Sequence, residues 1–302
     1  MNVNIKKITT EGRNLNTLDI DRVSTIEIVK KINNEDKTVA YAVEKAIPEI
    51  AKCVDMVYDT FMNDGRLIYM GAGTSGRIGL VDAVECKPTY GVSPEMVQCL
   101  MAGGLSAMVQ AVEGAEDSRT MAVEDLKRIN LTNKDIVIGI AASGRTPYVL
   151  GGVEYARSIG AKTASISTSQ NTILSSMVDC PIEAVTGAEP ITGSTRMKSG
   201  TAQKMICNII STSAMVKMGK VYENLMIDVQ ATNEKLVARA VSILKDITGL
   251  DDAEAKQAYD KYGSVKKAML GVLAGIEPDE VNKILDKHKG NIRESLKEAG
   301  VN

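Results

Sequence analysis

The chain has 302 residues, a formal net charge of −2 and no tryptophan, and only 3% of its residues are aromatic. So few rings argue against the stacking surfaces that bind single-stranded nucleic acid, and the acidic balance argues against a general phosphate-backbone binder. No nucleic-acid partner is therefore expected. The N-terminus lacks the apolar segment of a signal peptide, and the most apolar run, Ile136 to Ala142, is too short to cross a bilayer.

The cysteines and the single histidine leave little scope for metal chemistry. His288, near the C-terminus, is expected to be a surface or packing residue, with a role in a partner's site as the alternative. Acid–base chemistry then falls to carboxylates, lysine or tyrosine. The scattered cysteines, with no CxxC pair, predict buried thiols in a reducing cytoplasm rather than a zinc site: Cys53, Cys86, Cys99, Cys180 and Cys207.

Residues 1–54 are predicted to form an N-terminal helical segment. Apolar residues recur at helical spacing from Val23 to Ile32, and Asp19 or Asp21 is expected to cap this helix. A second amphipathic stretch, Val39 to Met62, ends at a turn over residues 63–65.

Residues 55–220 alternate between short apolar runs and helical patterns, which predicts an α/β fold with a doubly wound, mostly parallel sheet. Strands are expected at 66–72, 97–102, 135–142, 161–167 and 180–185, and helices near 105–113, 118–129 and 194–218. Methionines in the last of these helices are interpreted as core residues. Residues 221–302 predict a small helical domain, with helices near 234–247, 252–261, 264–274, 277–288 and 290–299.

Two strand-to-helix turns, at residues 71–77 and 143–146, combine glycines with hydroxyl side chains. Because helix N-termini present unpaired N–H groups, such turns favour an anion, and the pair together favours a phosphomonoester. The glycines are not spaced as in a dinucleotide-binding G-x-G-x-x-G motif. Tight turns needed only for packing are the alternative. The candidate binding residues are Gly73, Thr74, Ser75, Ser143, Gly144 and Thr146.

The run at residues 71–91 resembles the signature of bacterial N-acetylmuramic acid 6-phosphate etherases. Further stretches match the same pattern, so the similarity covers nearly the whole chain: 111–117, 141–148, 192–204 and 229–235. The resemblance implies a sugar isomerase (SIS) domain, a homodimer, and no metal or other cofactor. It also implies a phosphorylated amino-sugar substrate, the products N-acetylglucosamine 6-phosphate and D-lactate, and a place in the cytoplasmic recycling or catabolism of wall sugars.

The same resemblance places the catalytic acid at Glu85 and the base at Glu116. The family motif around the first glutamate usually reads Asp-Ala-Ser-Glu-Cys-Pro-Pro, whereas this chain has Val84 and Lys87. Elimination beta to an aldehyde needs one group to remove a proton and another to protonate the leaving oxygen, so one glutamate should have a raised pKa. Glu113 is the alternative carboxylate, and solvated or helix-supporting roles are the structural alternatives for both glutamates.

Spacing places Glu85 at some distance from the first turn. If Gly76 to Glu85 is one helix, the two lie about 13 Å apart, which favours a site at or near a dimer interface. Further candidates lie at and beyond the start of the helix predicted from residue 194, with surface or structural roles equally open: Ser194, Thr195, Arg196, Lys198 and Lys204.

Three other functions compete with the etherase interpretation. A phosphosugar sensor similar to the glucokinase regulatory protein would bind ligand without turnover, but both glutamates are retained here. An aldose–ketose phosphosugar isomerase would leave the two glutamate motifs unexplained. A DNA-binding regulator would need a helix-turn-helix and a basic face, and the acidic chain gives neither clear support.

Overall fold

The structure is a computed structural model that describes residues 9–110, 112–229 and 234–301. Three parts of the sequence-based interpretation lie outside the described residues. They are the first eight residues of the N-terminal segment, residue 111 of the motif at 111–117, and residues 230–233 of the motif at 229–235.

A five-stranded parallel sheet forms the centre of the first unit, with strand order β2-β1-β3-β4-β5. The strands are β1 (Leu67–Gly71), β2 (Val97–Met101), β3 (Ile136–Ile140), β4 (Lys162–Ser167) and β5 (Cys180–Glu183). Every residue of β1 and β3 is buried, as expected for apolar strands covered on both faces. The chain runs from β1 to β2 on one side and from β3 outward on the other, which confirms the doubly wound parallel sheet. The switch point between β1 and β3 is where such sheets bind ligands.

Six long helices surround or precede this sheet. They are α1 (Thr25–Glu44), α2 (Ile47–Met62), α3 (Gly73–Tyr90), α4 (Arg119–Arg128), α5 (Pro147–Ser158) and α6 (Lys198–Lys217). The apolar core between sheet and helices includes Tyr148, whose hydroxyl donates to Asp125 at 2.7 Å. Within the described ranges, none of the helices combines the length and the apolar character needed to cross a membrane.

The N-terminal helices differ from the prediction in where they begin. Neither Asp19 nor Asp21 caps α1. Ser24 is the N-cap, in a capping box with Glu27, whose carboxylate accepts hydrogen bonds from the amide (3.1 Å) and the hydroxyl (2.7 Å) of Ser24. The stretch from Val39 to Met62 is not one helix, since α1 ends at Glu44 and α2 begins at Ile47 with a proline in its first turn.

The helix predicted near 105–113 is also wrong. Among the described residues of that range, the regular structure is a 3-10 turn at Leu105–Met108. The guanidinium of Arg77 holds this turn by donating to the carbonyls of Ala107 (2.8 Å) and Met108 (3.1 Å). A second 3-10 turn covers Ala115–Asp117. The long helix α6 begins at Lys198 rather than near 194, because residues 195–197 form a turn.

The chain divides into two compact units. The first runs up to Val84 and continues over Pro94–Ser211; the second comprises Glu85–Ser93 and the chain from Thr212 onward. The second unit contains α7 (Glu234–Thr248), α8 (Asp252–Tyr262), α9 (Val265–Ala274), α10 (Pro278–Lys287) and α11 (Ile292–Glu298), which confirms the five predicted helices. A short hairpin, β6 (Val221–Tyr222) and β7 (Leu225–Met226), was not predicted. The domain boundaries inferred from the sequence stay a prediction.

Candidate active site

A cleft of about 410 Å³ lies at the carboxyl ends of β1 and β3. The two strands are neighbours, with Gly71 opposite Ile140, so the turns that follow them meet at one edge of the sheet. The cleft brings together seven residues that the sequence singled out: Gly73, Thr74, Ser75, Glu116, Ser143, Thr146 and Thr195. Gly144 is buried and does not line it.

Glycines serve two purposes in these turns. A Cβ on Gly71 would lie 2.6 Å from the amide nitrogen of Gly76, so this pair lets α3 pack closely on β1. Gly144 has a φ of 63°, and a Cβ there would lie 2.3 Å from the Cβ of Thr172. Gly73, in contrast, has a φ of 53° and open space around it. Packing therefore explains some of the glycines, and the exposed backbone at Gly73 is available to a ligand.

Hydroxyl groups and a helix N-terminus supply donors on one side of the cleft. Ser75 donates its hydroxyl to Oε1 of Gln203 at 2.9 Å, which fixes the side chain at the start of α3. The helix α5 begins with Pro147, which has no amide N–H, and its N-cap, Thr146, makes no side-chain cap hydrogen bond. The next amides, those of Tyr148 and Val149, are therefore left uncapped by that side chain and can serve an anion. Ser143 and the exposed cation Arg145 line the same region.

Glu116 lies in the 3-10 turn that follows Gly114, a residue in the left-handed conformation. It is exposed and lines both the cleft and a side cavity of about 350 Å³. Glu113, the alternative carboxylate, lines the side cavity and not the cleft. Because Glu116 lines the cleft and Glu113 does not, Glu116 is the better placed of the two to contact a ligand there.

Comparison with known proteins identifies the family. Over 98% of its length the chain is 53% identical to an N-acetylmuramic acid 6-phosphate etherase of Clostridium beijerinckii, of which it covers 98%. It belongs to the N-acetylmuramic acid 6-phosphate etherase family. A second etherase of this family, from Clostridium botulinum strain Eklund 17B, is 54% identical over 97% of this chain and 98% of its own.

Domain profiles and solved structures agree with the fold of this family. Residues 49–157 match the N-terminal SIS domain of glucokinase regulatory protein, residues 105–213 match the SIS domain, and residues 223–262 match the C-terminal lid domain of glucokinase regulatory protein. A solved protein of Escherichia coli strain CFT073 superposes with a TM-score of 0.50 at 17% identity, over 67% of this chain and 97% of that one. A Bacteroides fragilis protein assigned as a phosphosugar isomerase involved in capsule formation superposes with a TM-score of 0.51 at 20% identity, over 67% of this chain and 95% of that one. At these identities the likeness shows the SIS fold.

Glu85 is the glutamate of the first etherase motif. Glu85 is exposed on α3, belongs to the second unit, and is not among the described residues that line the cleft. The structure therefore brings Glu116, but not Glu85, together with the candidate phosphate-binding residues.

Asp82, in the same etherase motif, has a different environment. It is buried, and its carboxylate accepts hydrogen bonds from Tyr69 (3.0 Å), Asn208 (2.5 Å) and Ser211 (3.0 Å). Burial raises the pKa of Asp82, and the three donors oppose that rise. The residue thereby joins β1, α3 and α6, which is a structural role that the sequence did not indicate.

Lys198, a candidate from the α6 motif, is committed to structure. Its ammonium pairs with Glu35 at 2.7 Å, and both side chains are buried. Burial acts to raise the pKa of Glu35, but hydrogen bonds from Lys198 and Asn16 outweigh it and lower the pKa. Of the other candidates near α6, Thr195 lines the cleft, whereas Ser194, Arg196 and Lys204 are not among the described lining residues.

Sequence reasoning missed two residues that line the cleft from far away in the chain. Thr10 and Glu11, in a 3-10 turn at Thr9–Glu11, contribute to its wall. Their segment has no hydrophobic period and no recognised motif, so only the fold reveals their position. Within the second unit, Nε2 of His288 forms a hydrogen bond with Oε2 of Glu298 at 2.6 Å.

Proposed function

We propose that this chain cleaves the D-lactyl ether of N-acetylmuramic acid 6-phosphate, giving N-acetylglucosamine 6-phosphate and D-lactate. The observation that carries the proposal is 53% identity to etherases of that name over nearly the full length of both chains. The cleft at the switch point of the SIS sheet supports it, because hydroxyls and an open helix N-terminus there suit a phosphomonoester. The activity belongs to the recycling or catabolism of wall amino sugars, and we propose a cytoplasmic location.

In the proposed reaction the sugar opens to its aldehyde form, which acidifies the proton on carbon 2. Glu116 removes this proton as the base, and Glu85 protonates the ether oxygen as lactate leaves carbon 3. Water then adds at carbon 3 with the proton transfers reversed, so that a hydroxyl replaces the ether. Each step needs only proton transfer by carboxyl groups, and we propose no cofactor.

The phosphate is proposed to lie between the two turns. Ser143 and Thr146 would donate hydroxyl hydrogen bonds, and Ser75 would turn its single hydroxyl proton from Gln203 to the phosphate. The amides of Gly73 and Thr74 would approach the phosphate from the backbone, whereas the amide of Gly144 already donates to the carbonyl of Ala141 at 3.0 Å. Arg145 adds a positive charge at the same edge. Anchoring the phosphate there fixes the sugar ring relative to Glu116 in the neighbouring turn.

We further propose that the working form is a homodimer with the site at or near its interface. Apolar side chains on α3 and on the loop that Arg77 holds against it are exposed, with Val81 48%, Leu105 77% and Val109 86% accessible. Surfaces of this kind favour association with another protein. A partner subunit would complete the site around Glu85.

The experiment is to incubate the purified chain with N-acetylmuramic acid 6-phosphate and to measure D-lactate. Stoichiometric D-lactate and N-acetylglucosamine 6-phosphate are expected. Binding of the substrate without any release of D-lactate would contradict the proposal and would favour a phosphosugar sensor, a function consistent with the two glucokinase regulatory protein profiles.

A further inference from the structure

The 3-10 turn at Thr9–Glu11 lies at the cleft although it precedes every strand of the sheet. We propose that Glu11, assisted by the hydroxyl of Thr10, determines sugar specificity by accepting a hydrogen bond from a neutral donor of the substrate. The donor is a sugar hydroxyl or the acetamido N–H. This inference rests on the proposed function, because it takes the ligand of the cleft to be a phosphorylated amino sugar.

Thr10 has a buried polar group that needs a partner. The residue is fully buried and lines the cleft, and its hydroxyl has no hydrogen-bond partner among the residues that the structure describes. Buried hydroxyls in native proteins are nearly always hydrogen-bonded, because an unsatisfied one is destabilising. A ligand in the cleft would supply the missing partner.

Glu11 is equally uncommitted to the protein. Its side chain is half-buried, and a Cβ built on Gly193 would lie 3.4 Å from its Oε2 and 4.0 Å from its Oε1. Within the described ranges its carboxylate makes no hydrogen bond and no ion pair. The carboxylate thus packs beside the backbone of Gly193, another lining residue, with its acceptor capacity unused.

The segment after Glu11 is firmly attached, so the position of the turn is defined. Asn14 donates to the carbonyl of Ala188 at 3.2 Å, and Thr17 donates to the carbonyl of Pro190 at 2.8 Å. These bonds fix residues 14–17 against the loop that leads to Gly193. Glu11 is therefore held at the cleft by contacts that do not involve its own side chain.

Charge decides what Glu11 can bind. The described lining of the cleft includes three carboxylates, Glu11, Glu116 and Asp117, and one cation, Arg145. The substrate carries a phosphate and a lactyl carboxylate, and a carboxylate in the protein repels both. An ionised carboxylate only accepts hydrogen bonds, so Glu11 must face the neutral donors of the sugar. A site built in this way rejects ligands that lack the donor, since its own polar group would be left unpaired.

The test compares the affinity of the full chain for N-acetylglucosamine 6-phosphate, glucose 6-phosphate and inorganic phosphate by calorimetry. Glu11→Ala should weaken the binding of N-acetylglucosamine 6-phosphate roughly 10-fold or more, and Thr10→Val should weaken it roughly 3-fold or more. Glu11→Gln, which keeps the shape and one acceptor, should fall between wild type and Glu11→Ala. Glu44→Gln, an exposed carboxylate on α1 outside the cleft, is the matched control and should bind as wild type does.

Inorganic phosphate separates specificity from damage to the fold. Its affinity should be unchanged or higher in Glu11→Ala, because the phosphate side of the cleft is intact and a nearby negative charge is gone. Equal weakening of both sugar phosphates would assign the donor to a hydroxyl, and loss confined to N-acetylglucosamine 6-phosphate would assign it to the acetamido group.

Unchanged affinity for N-acetylglucosamine 6-phosphate in Glu11→Ala, or a parallel loss of inorganic phosphate binding, would overturn the inference. Binding is measured with product, so the result does not depend on turnover. The two proposals can fail separately. If the wild-type chain released no D-lactate, and Glu11→Ala still bound the sugar more weakly than wild type, the proposed function would be contradicted and the inference about Glu11 would stand.

Discussion

The cleft and the C-terminal helices satisfy their polar groups in opposite ways. In the second unit, Asp251, Ser264 and Asn291 each accept hydrogen bonds from backbone amides within the next three residues, and so begin α8, α9 and α11. At the cleft, Ser75 bonds to Gln203 from 128 residues away, and the hydroxyl of Thr10 has no partner in the part of the chain that the structure describes. Hydrogen bonds between neighbouring residues stabilise the helices of the second unit, whereas a polar group without a protein partner at the cleft is available to bind a ligand.

The largest effect should come from the two glutamates. Glu116→Gln and Glu85→Gln should each lower kcat by about 10²-fold or more, the usual cost of losing acid–base catalysis, while circular dichroism and product binding stay close to wild type. Glu124→Gln, an exposed carboxylate on α4, is the control. Turnover near the wild-type rate in either variant would remove that residue from the mechanism, and a greater loss in Glu113→Gln than in Glu116→Gln would reassign the base.

The buried pair of Lys198 and Glu35 should show the largest effect on stability. Glu35→Gln leaves the Lys198 ammonium buried without its counter-charge, so the free energy of unfolding should fall by about 3 kcal/mol in urea denaturation. Glu154→Gln removes the carboxylate of the exposed pair with Arg119 and should have little effect. If the two variants lost the same unfolding free energy, the buried pair would contribute no more to stability than the exposed one.

Phosphate recognition should give a smaller effect on binding. Ser143→Ala removes one hydroxyl from the cleft and should raise KM roughly 10-fold, as expected for a hydrogen bond to a charged group. Unphosphorylated N-acetylmuramic acid should be a far worse substrate for the wild-type chain. Equal turnover of the two sugars would show that the turns at Ser75 and Ser143 do not hold a phosphate.

A helix cap in the second unit should have the smallest effect. Asp251→Ala removes a capping box, so the free energy of unfolding should fall by about 1 kcal/mol, with kcat and KM unchanged. Thermal denaturation and steady-state kinetics check both halves of this expectation. A strong loss of activity would show that the C-terminal helices take part in the chemistry more directly than their local contacts indicate.

The sequence predicted those features that depend on neighbouring residues. Buried strands next to small-residue turns indicated the parallel sheet, and their order placed Ser75 and Ser143 at one edge. The predicted helix at 105–113 failed because Arg77, on α3, holds Leu105–Met108 as a 3-10 turn. Long-range features escaped prediction for the same physical reason. Neither the pairing of Lys198 with Glu35 nor the position of Glu11 beside Gly193 has any signal within a few residues.

The proposed function rests on breaking the ether by elimination of lactate and addition of water. Reaction in heavy water, and separately in water enriched in heavy oxygen, tests it with mass spectrometry of both products. We expect deuterium at carbon 2 of N-acetylglucosamine 6-phosphate, heavy oxygen in its hydroxyl at carbon 3, and lactate that keeps the original ether oxygen. Heavy oxygen in lactate, with no deuterium at carbon 2, would contradict the elimination route and the roles given to Glu85 and Glu116.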